Sequence, residues 1–591
     1  MEKTAICKSY DFVVVGGGMS GVCAAVAAAR KGVKTVLIQN RPILGGNAGS
    51  EHRMHICGAD YHMSRPNARE TGILEEILLE NKRRNPTMNY PIFDTVLWET
   101  VHFQENLSLY LNTHMTEVSV QDNRIKEITA VQMTTEKVFR IRGTYFMDGT
   151  GDGTLGFLAG AVFRKGREGK DGYGESLAPD TEDPYTMGNS LMFLAKDVGR
   201  PVPFTPPRWA NTYTEEQLRF REHTSVKSGY WWIELGGKTL DTISDAEELR
   251  DELLKAVYGV WDHIKNGGDH GADQMDLEWV GFLPGKRESR RLIGDYVLTE
   301  HDINESRIFD DAVAYGGWPM DVHTVEGFLN ENDNPTVWNH VDDIYTIPYR
   351  SLYSVNIENL FLGGRAISCS HIAFSSTRVM GTCSVVGQAV GTAAAIALRK
   401  KESPRGVLKH IRELQQQLLK DDCFIPGFKN EDALDLARTA CISANRWDLG
   451  CEPENVVNGW SRTIGKNQNC WRCDMEGDEK PILSISMPRR TAVKEIRLSF
   501  DSNLSREITP SIDENVLGRQ EFHSPSELIR EYELKLKLDG EVVQILGKDS
   551  RGQRLQIINF PEGCMCNEIA IKVLSTYKSP RACIYEVRVY E

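Results

Sequence analysis

The chain lacks most of what a membrane, nucleic-acid or disulfide-bonded protein needs. No run of eighteen or more apolar residues occurs in its 591, so no transmembrane helix and no membrane partner is expected. The opening MEKTAICKSY has no apolar core of the kind a secretory signal carries, and as the chain stands it reads as cytoplasmic. Positive charge is in short supply: 69 Lys and Arg stand against 83 Asp and Glu, for a net charge of −14. That argues against nucleic acid as a partner, because holding phosphates requires a basic surface. Thirteen cysteines are too few, and odd in number, for a disulfide scaffold. The closest pairs, Cys470/Cys473 and Cys564/Cys566, lack the second pair at zinc-ribbon spacing and the three-cysteine run of an iron–sulfur site. Free thiols and no metal site are expected. Internal repeats and low-complexity tracts are missing too.

What is present begins at Tyr10. Phe12 to Val15 is an apolar β-type run, the mark of a buried parallel strand. Gly16, Gly18 and Gly21 follow in the spacing G-x-G-x-x-G, then an alanine-rich helix closed by Gly32, then a second strand over Thr35 to Ile38. Strand, tight turn, helix and strand within about thirty residues form the unit that wraps a dinucleotide. Gly16 makes the turn, Gly18 lets the backbone approach a pyrophosphate, and Gly21 lets helix and strand pack closely. The free N–H groups and positive end of the helix then face the phosphates. Where an acid usually binds the ribose, this chain has Gln39, whose amide accepts a hydrogen bond without a charge.

Two further stretches repeat the form of strand into glycine turn. Thr144 to Met147 runs into Asp148-Gly149-Thr150-Gly151-Asp152-Gly153, and Asn359 to Gly364 is followed by Arg365. Met380 to Leu398 reads as a tightly packed helix of small residues. Gly166 to about Tyr345 is richer in Trp, Pro and charge and reads as an inserted cap. From Cys441 onward, short alternating strands separated by turns give the pattern of a β-sandwich. A nicotinamide dehydrogenase needs only the first glycine turn, whereas a protein that holds FAD in an extended pose uses several.

On GGGMSG at 16–21, LGGNAG at 44–49, DGTGDG at 148–153, IPYRSL at 347–352, NLFLGGR at 359–365 and RVMGTCSVVGQAVGTAAA at 378–395, the chain resembles the FAD-dependent oxidoreductases. Their fold is glutathione-reductase-like, and more narrowly the chain resembles the family related to heterodisulfide reductase A-type flavoproteins, without the iron–sulfur cysteines of some relatives. PENVVNGWSR at 453–462 and NCW at 469–471 give the C-terminal part a resemblance to discoidin-like, galactose-binding-like modules. The resemblance implies an α/β Rossmann-like FAD-binding domain with an inserted α+β cap domain, plus a C-terminal all-β jelly-roll sandwich. The expected boundaries are 1–165 and 346–440 for the FAD-binding domain, 166–345 for the cap and 441–591 for the sandwich.

The resemblance also implies roles. Gly16, Gly18 and Gly21 hold the pyrophosphate, with Gln39 at the ribose position. Gly45, Gly46 and Asn47 run beside the flavin, and Met115 meets the adenine through its backbone. Gly151 and Asp152 close over the pyrophosphate and ribitol, Gly364 and Arg365 meet the cofactor, and Gly381 and Thr382 start a helix whose positive end faces the pyrimidine edge. Hydride transfer from a carbinol carbon requires a base for the hydroxyl proton and a cation or donors to orient the oxygen. The candidates are His371 and Arg378, then His52 and His55 on the loop after the glycines, then Arg290 with Arg287 and Arg291 on the cap to grip an acid. The expected substrate is a small molecule, a sugar or other polyhydroxylated compound. The alternatives are a carbohydrate-binding protein with a vestigial flavin fold and a nicotinamide-dependent dehydrogenase. In the C-terminal sandwich Trp460 and Trp471 are candidates for exposed platforms, with a place in the sandwich core the more usual reading for a tryptophan.

Overall fold

The computed structural model describes residues 5–591. The chain forms two compact units. One comprises the chain up to Tyr61, Phe93–Ile411 and Thr509–Arg519; the other comprises His62–Ile92, Arg412–Ile508 and Gln520–Glu591.

The first unit is built on the N-terminal strand β1 (Ile6–Val15), which turns through the glycines into α1 (Met19–Arg30) and returns as β2 (Thr35–Ile38). β3 (Leu107–Tyr110) lies parallel to β2, and the long β6 (Lys137–Asp148) lies parallel to β1 on its other side. The second half of β6 carries Leu360–Leu362 as a further parallel neighbour. The five parallel strands therefore run in the order β3-β2-β1-β6-(Leu360–Leu362), and all three glycine turns leave the same, carboxyl end of the sheet. Ligands of open α/β sheets bind at that end.

β4 (Thr113–Gln121) and β5 (Arg124–Gln132) form an antiparallel excursion that reverses at Asp122-Asn123, both of which have positive φ. The strand read from the sequence at Thr144 to Met147 is the end of a longer one, because β6 pairs with β1 from Phe139 to Asp148 and with β5 from Lys137 to Arg142.

Met380–Lys400 has the length and apolar character of a membrane span, yet it is buried in this unit. The reason lies in Gly387 and Gly391. A Cβ at either position would stand 2.1 Å from a backbone oxygen of α1, at Ser20 and Ala24 respectively. Small residues four apart bring the two backbones into contact, and the helix is shielded by the protein itself.

The cap, read as Gly166 to Tyr345, is a set of short sheets around the helix Ala246–Asn266. Leu249, Leu253, Val257, Val260, Trp261 and Ile264 of that helix form its core with Phe193, Tyr230 and Trp232.

In the second unit, seven antiparallel strands form an all-β layer system. Ile482–Phe500 and Leu555–Thr576 are long enough to bend, with register shifts at Ser486/Thr491 and Val493/Glu495. Such bulges let one strand serve two faces of a sandwich. Trp471 is fully buried, its Nε1–H donating to the Arg446 carbonyl at 2.9 Å, and it is a core residue rather than an exposed platform. Two segments outside 441–591 fold with these strands. His62–Ile92 is fastened by the Arg69 fork on Glu75 (3.1 and 2.7 Å) and by Arg462, which donates to the carbonyls of Asn67 and Arg69. The connector after Arg412 is fastened by the buried Arg554–Asp422 pair at 2.9 Å.

Candidate functional site

A cavity of about 360 Å³ opens where the glycine turns meet. Gly16 has φ +110°, and a Cβ there would stand 2.0 Å from the Gly149 carbonyl; one on Gly21 would stand 1.9 Å from the Gly16 carbonyl. The first turn therefore closes directly on the second. Gly18 has open space on its Cβ side. The first turn of α1 holds no acidic residue and no side-chain cap, so its N–H groups stay available to an anion. Ser20 in that turn lines the cavity, with its Oγ buried and lacking a hydrogen-bond partner. A buried hydroxyl without a partner, a clear approach at Gly18 and a helix end free of acids are what a dinucleotide pyrophosphate needs.

Gln39 lines the cavity but is engaged elsewhere. Its Oε1 accepts the Gly17 N–H at 2.9 Å and its Nε2 donates to the Ile43 carbonyl at 3.1 Å. The amide fastens the glycine turn to the following loop, a second role beside its place on the cavity wall. A carboxylate could accept the first bond and could not make the second.

The second turn is shaped by Asp148, which accepts from the Thr150 N–H, the Thr150 hydroxyl and the Gly156 N–H at 2.7–3.0 Å. Burial raises its pKa, and those hydrogen bonds oppose the rise. The cap reaches this turn through Gly285–Lys286. Lys286 Nζ pairs with Asp152 Oδ2 at 2.6 Å, while Arg365 lies 3.6 Å from the same carboxylate and donates to the Lys286 carbonyl. Ser289 Oγ donates to the Gly151 carbonyl at 3.0 Å. Lys286 was missed from the sequence because a single lysine next to Arg287 carries no signal of its own.

His52 lies on the cavity wall near Pro284 and Lys286. Burial first, then the charge of Arg41, lowers its pKa to about 4, against the pull of the Pro284 and Gly46 carbonyls. The imidazole is thus neutral at ordinary pH. Arg378 lines the same cavity. Its Nη2 pairs with Asp321 at 2.6 Å, and its buried Nε lacks a hydrogen-bond partner. Behind Asp321 lies a chain of polar groups: His323 at 3.1 Å, Glu234 at 2.6 Å from His323, and Arg287 at 3.3 Å from Glu234. Burial disfavours ionised Asp321 and Glu234, but His323 with Arg378 on one and Arg287 with His323 on the other hold both carboxyls well below the usual range.

Of the residues expected at the cofactor, Gly16, Gly18, Gln39, Gly45, Gly46, Asn47, Met115, Gly151, Asp152, Gly364 and Arg365 line the cavity. Gly21 acts one step behind it, in the packing of α1. Gly381 and Thr382 lie outside it, since the Gly381 N–H donates to the Cys57 carbonyl at 2.8 Å and Thr382 is fully buried; Met380 and Cys383 line the wall instead.

Of the catalytic candidates, His52 and Arg378 reach the cavity, whereas His55, His371 and Arg290 do not. His371 is enclosed with Nδ1 2.9 Å from Glu288, in a network that includes Arg291 and Glu168. Arg290 donates to the Asp152 carbonyl at 3.2 Å and stacks on Phe157, so it supports the second turn rather than gripping an acid. Arg287 and Arg291 are likewise spent on Glu234 and on Glu288 with Glu168.

Three glycine turns at one sheet edge, a capless helix end and a polar cap wall define a dinucleotide-binding oxidoreductase site. Residues 11–418 match the family described as FAD dependent oxidoreductase. The chain belongs to that family; it is an enzyme, and its cofactor is FAD.

Among curated proteins it is similar to the tRNA uridine 5-carboxymethylaminomethyl modification enzyme MnmG of Streptococcus agalactiae, 27% identical over 218 residues, 34% of this chain and 32% of that protein. It is also similar to pseudooxynicotine dehydrogenase of a Pseudomonas species, 30% identical over 95 residues, 15% of this chain and 18% of that protein. The matched part thus spans about a third or less of these relatives' length. Among solved structures, the family 32 carbohydrate-binding module of Clostridium perfringens NanJ with galactose aligns at 15% identity and a TM-score of 0.20, over 27% of this chain and 98% of that one. The lectin domain of lectinolysin with Lewis B antigen aligns at 12% identity and a TM-score of 0.21, over 27% and 98%.

Proposed function

We propose that the enzyme oxidises a carbinol of a polyhydroxylated small molecule, a sugar or sugar derivative, to a carbonyl, with the hydride passing to FAD. The observation that carries this reading is the pairing of a neutral imidazole, His52, with an anchored cation, Arg378, on the wall of one cavity. When bound, FAD supplies a two-electron acceptor for the hydride that leaves the carbinol carbon. His52 takes the hydroxyl proton. Arg378, held by Asp321, points its Nε–H at the oxygen as the C–O bond gains double-bond character.

A group of aromatic rings that does not line the cavity, but is joined to it through the Asp321 anchor of Arg378, supports a sugar. Tyr61 packs edge-on to Trp318 at 5.4 Å, Trp318 lies 5.8 Å from Trp338, and Trp338 lies 6.5 Å from Trp231. Trp338 pairs across the β-ladder with Asp321, the anchor of Arg378. Such rings offer flat apolar surface to the C–H faces of a pyranose. The net charge of −14 weighs against a polyanionic substrate such as the tRNA named for MnmG.

The test is anaerobic mixing of the yellow holoprotein with sugars, polyols, hydroxy acids and amines. Bleaching of the flavin band by sugars or polyols is expected. Bleaching by amines alone, or by none of them, would contradict the reading.

A further inference from the structure

We propose that the cap carries a second site, a zinc-type divalent cation site formed by Glu215, His223, His263 and His270. The four ligand atoms lie within 4.8 Å of one another. His263 Nε2 is 3.0 Å, His223 Nε2 3.3 Å and His270 Nε2 3.9 Å from Glu215 Oε2. A tetrahedral ion with metal–ligand bonds of about 2.0–2.1 Å has edges of about 3.3 Å, so the first two distances already fit and His270 needs a small inward shift.

Proton bookkeeping points the same way. His223 Nδ1 is 2.6 Å from the Arg221 carbonyl, and His263 Nδ1 is 3.2 Å from the Tyr213 carbonyl. A carbonyl only accepts, so Nδ1 carries the proton in each ring. In the neutral rings both Nε2 atoms are then lone pairs, and they face a carboxylate oxygen, another acceptor. His270 Nε2 is buried with no hydrogen-bond partner at all. Protonating all the rings would supply donors, but their centroids are only 4.8–5.2 Å apart, and three positive charges would crowd one carboxylate. A single divalent cation satisfies every lone pair. The Nδ1–carbonyl contacts are the outer partners that fix the ligating tautomer of metal-bound histidine.

The four residues come from two segments of the cap. Glu215 opens a short helix capped by Thr214, and His223 follows it in a loop. His263 sits in the last turn of Ala246–Asn266, and His270 in the glycine-rich reversal after it. The ion would clasp the end of the cap's main helix to the 213–223 segment. Three nitrogens and one oxygen, without thiolate, suit zinc and other late first-row dications rather than magnesium or calcium. The expectation of no metal site rested on the cysteine pairs, which take no part here.

The test uses the full-length holoprotein, loaded with zinc or cobalt and then desalted. One equivalent of zinc per chain is expected, and with cobalt the d–d bands of a tetrahedral centre to the red of the flavin. Chelation should lower the thermal midpoint, and zinc, not magnesium, should restore it. His270→Ala and His263→Ala should cut retained metal about tenfold or more, with the flavin absorbance reporting that each variant is folded. Retention below about a tenth of an equivalent by the wild-type protein, or undiminished retention by both variants, would overturn the proposal. Neither result bears on the flavin reaction.

Discussion

Gln39→Glu asks whether the amide stands in for a missing ribose acid or fastens the glycine turn. The buried Gln39 amide makes one bond as acceptor and one as donor, to the Gly17 N–H and the Ile43 carbonyl. A glutamate keeps the acceptor and strengthens it by roughly 1 kcal/mol because the acceptor is charged. It loses the donor and turns an oxygen toward the Ile43 carbonyl, which costs about 1–3 kcal/mol for a buried group left unpaired and facing another acceptor. The balance is about 0–2 kcal/mol against the native loop, centred near 1 kcal/mol. At about 1.4 kcal/mol per tenfold, FAD affinity falls roughly fivefold at the centre of that range and up to about thirtyfold at its upper end. Titration of the apoprotein with FAD, followed by flavin fluorescence, reads this directly. A Gln39→Glu variant that binds FAD as tightly as the wild type, or more tightly, would refute the reasoning and restore the ribose role.

Two other substitutions probe the frame and the site. Gly391→Ala places a methyl against the Ala24 carbonyl, where a Cβ would sit at 2.1 Å; overpacking of this kind costs about 1–3 kcal/mol. A lower thermal midpoint is expected, although alanine is the better helix former, and a raised midpoint would contradict the close-approach account. Arg378→Lys keeps a charge for Asp321 but loses the Nε–H. Flavin bleaching by the best substrate should slow about ten- to a hundredfold, short of the ~10²–10³ for losing a whole oxyanion donor, and an unchanged rate would remove Arg378 from the chemistry.

Much of the frame was legible because it is local. The three glycine turns, the small-residue helix at Met380 and the alternating C-terminal strands are each written within a few dozen residues, and each is where the sequence placed it. The site was legible only in part, because type and order say nothing of distance. His371 and Arg290 carry the right chemistry, yet Glu288 and the Asp152 carbonyl hold them away from the cavity. Arg378 and His52 have the same chemistry and do line it. Gln39 looked like a deficit because its second bond, to Ile43, depends on the path of the loop. The segment His62–Ile92 follows the first glycine turns in sequence but folds with the C-terminal strands, held by buried arginines. The cap histidines could not be read as a group, since residues 215 to 270 meet only after a helix and two loops are placed.

The proposed chemistry needs a neutral His52 to take the proton as the hydride leaves. The decisive measurement is the pH dependence of single-turnover flavin bleaching under anaerobic conditions with the best substrate of the panel. His52 has its pKa lowered to about 4, so its base form is present above that value and is lost as pH falls through it. A rate flat from about pH 5 upward, falling near pH 4, and an acidic limb abolished in His52→Gln with a large loss of rate, is the predicted result. A limb near pH 6.5, the ordinary value of histidine, or a His52→Gln profile identical to the wild type, would contradict it.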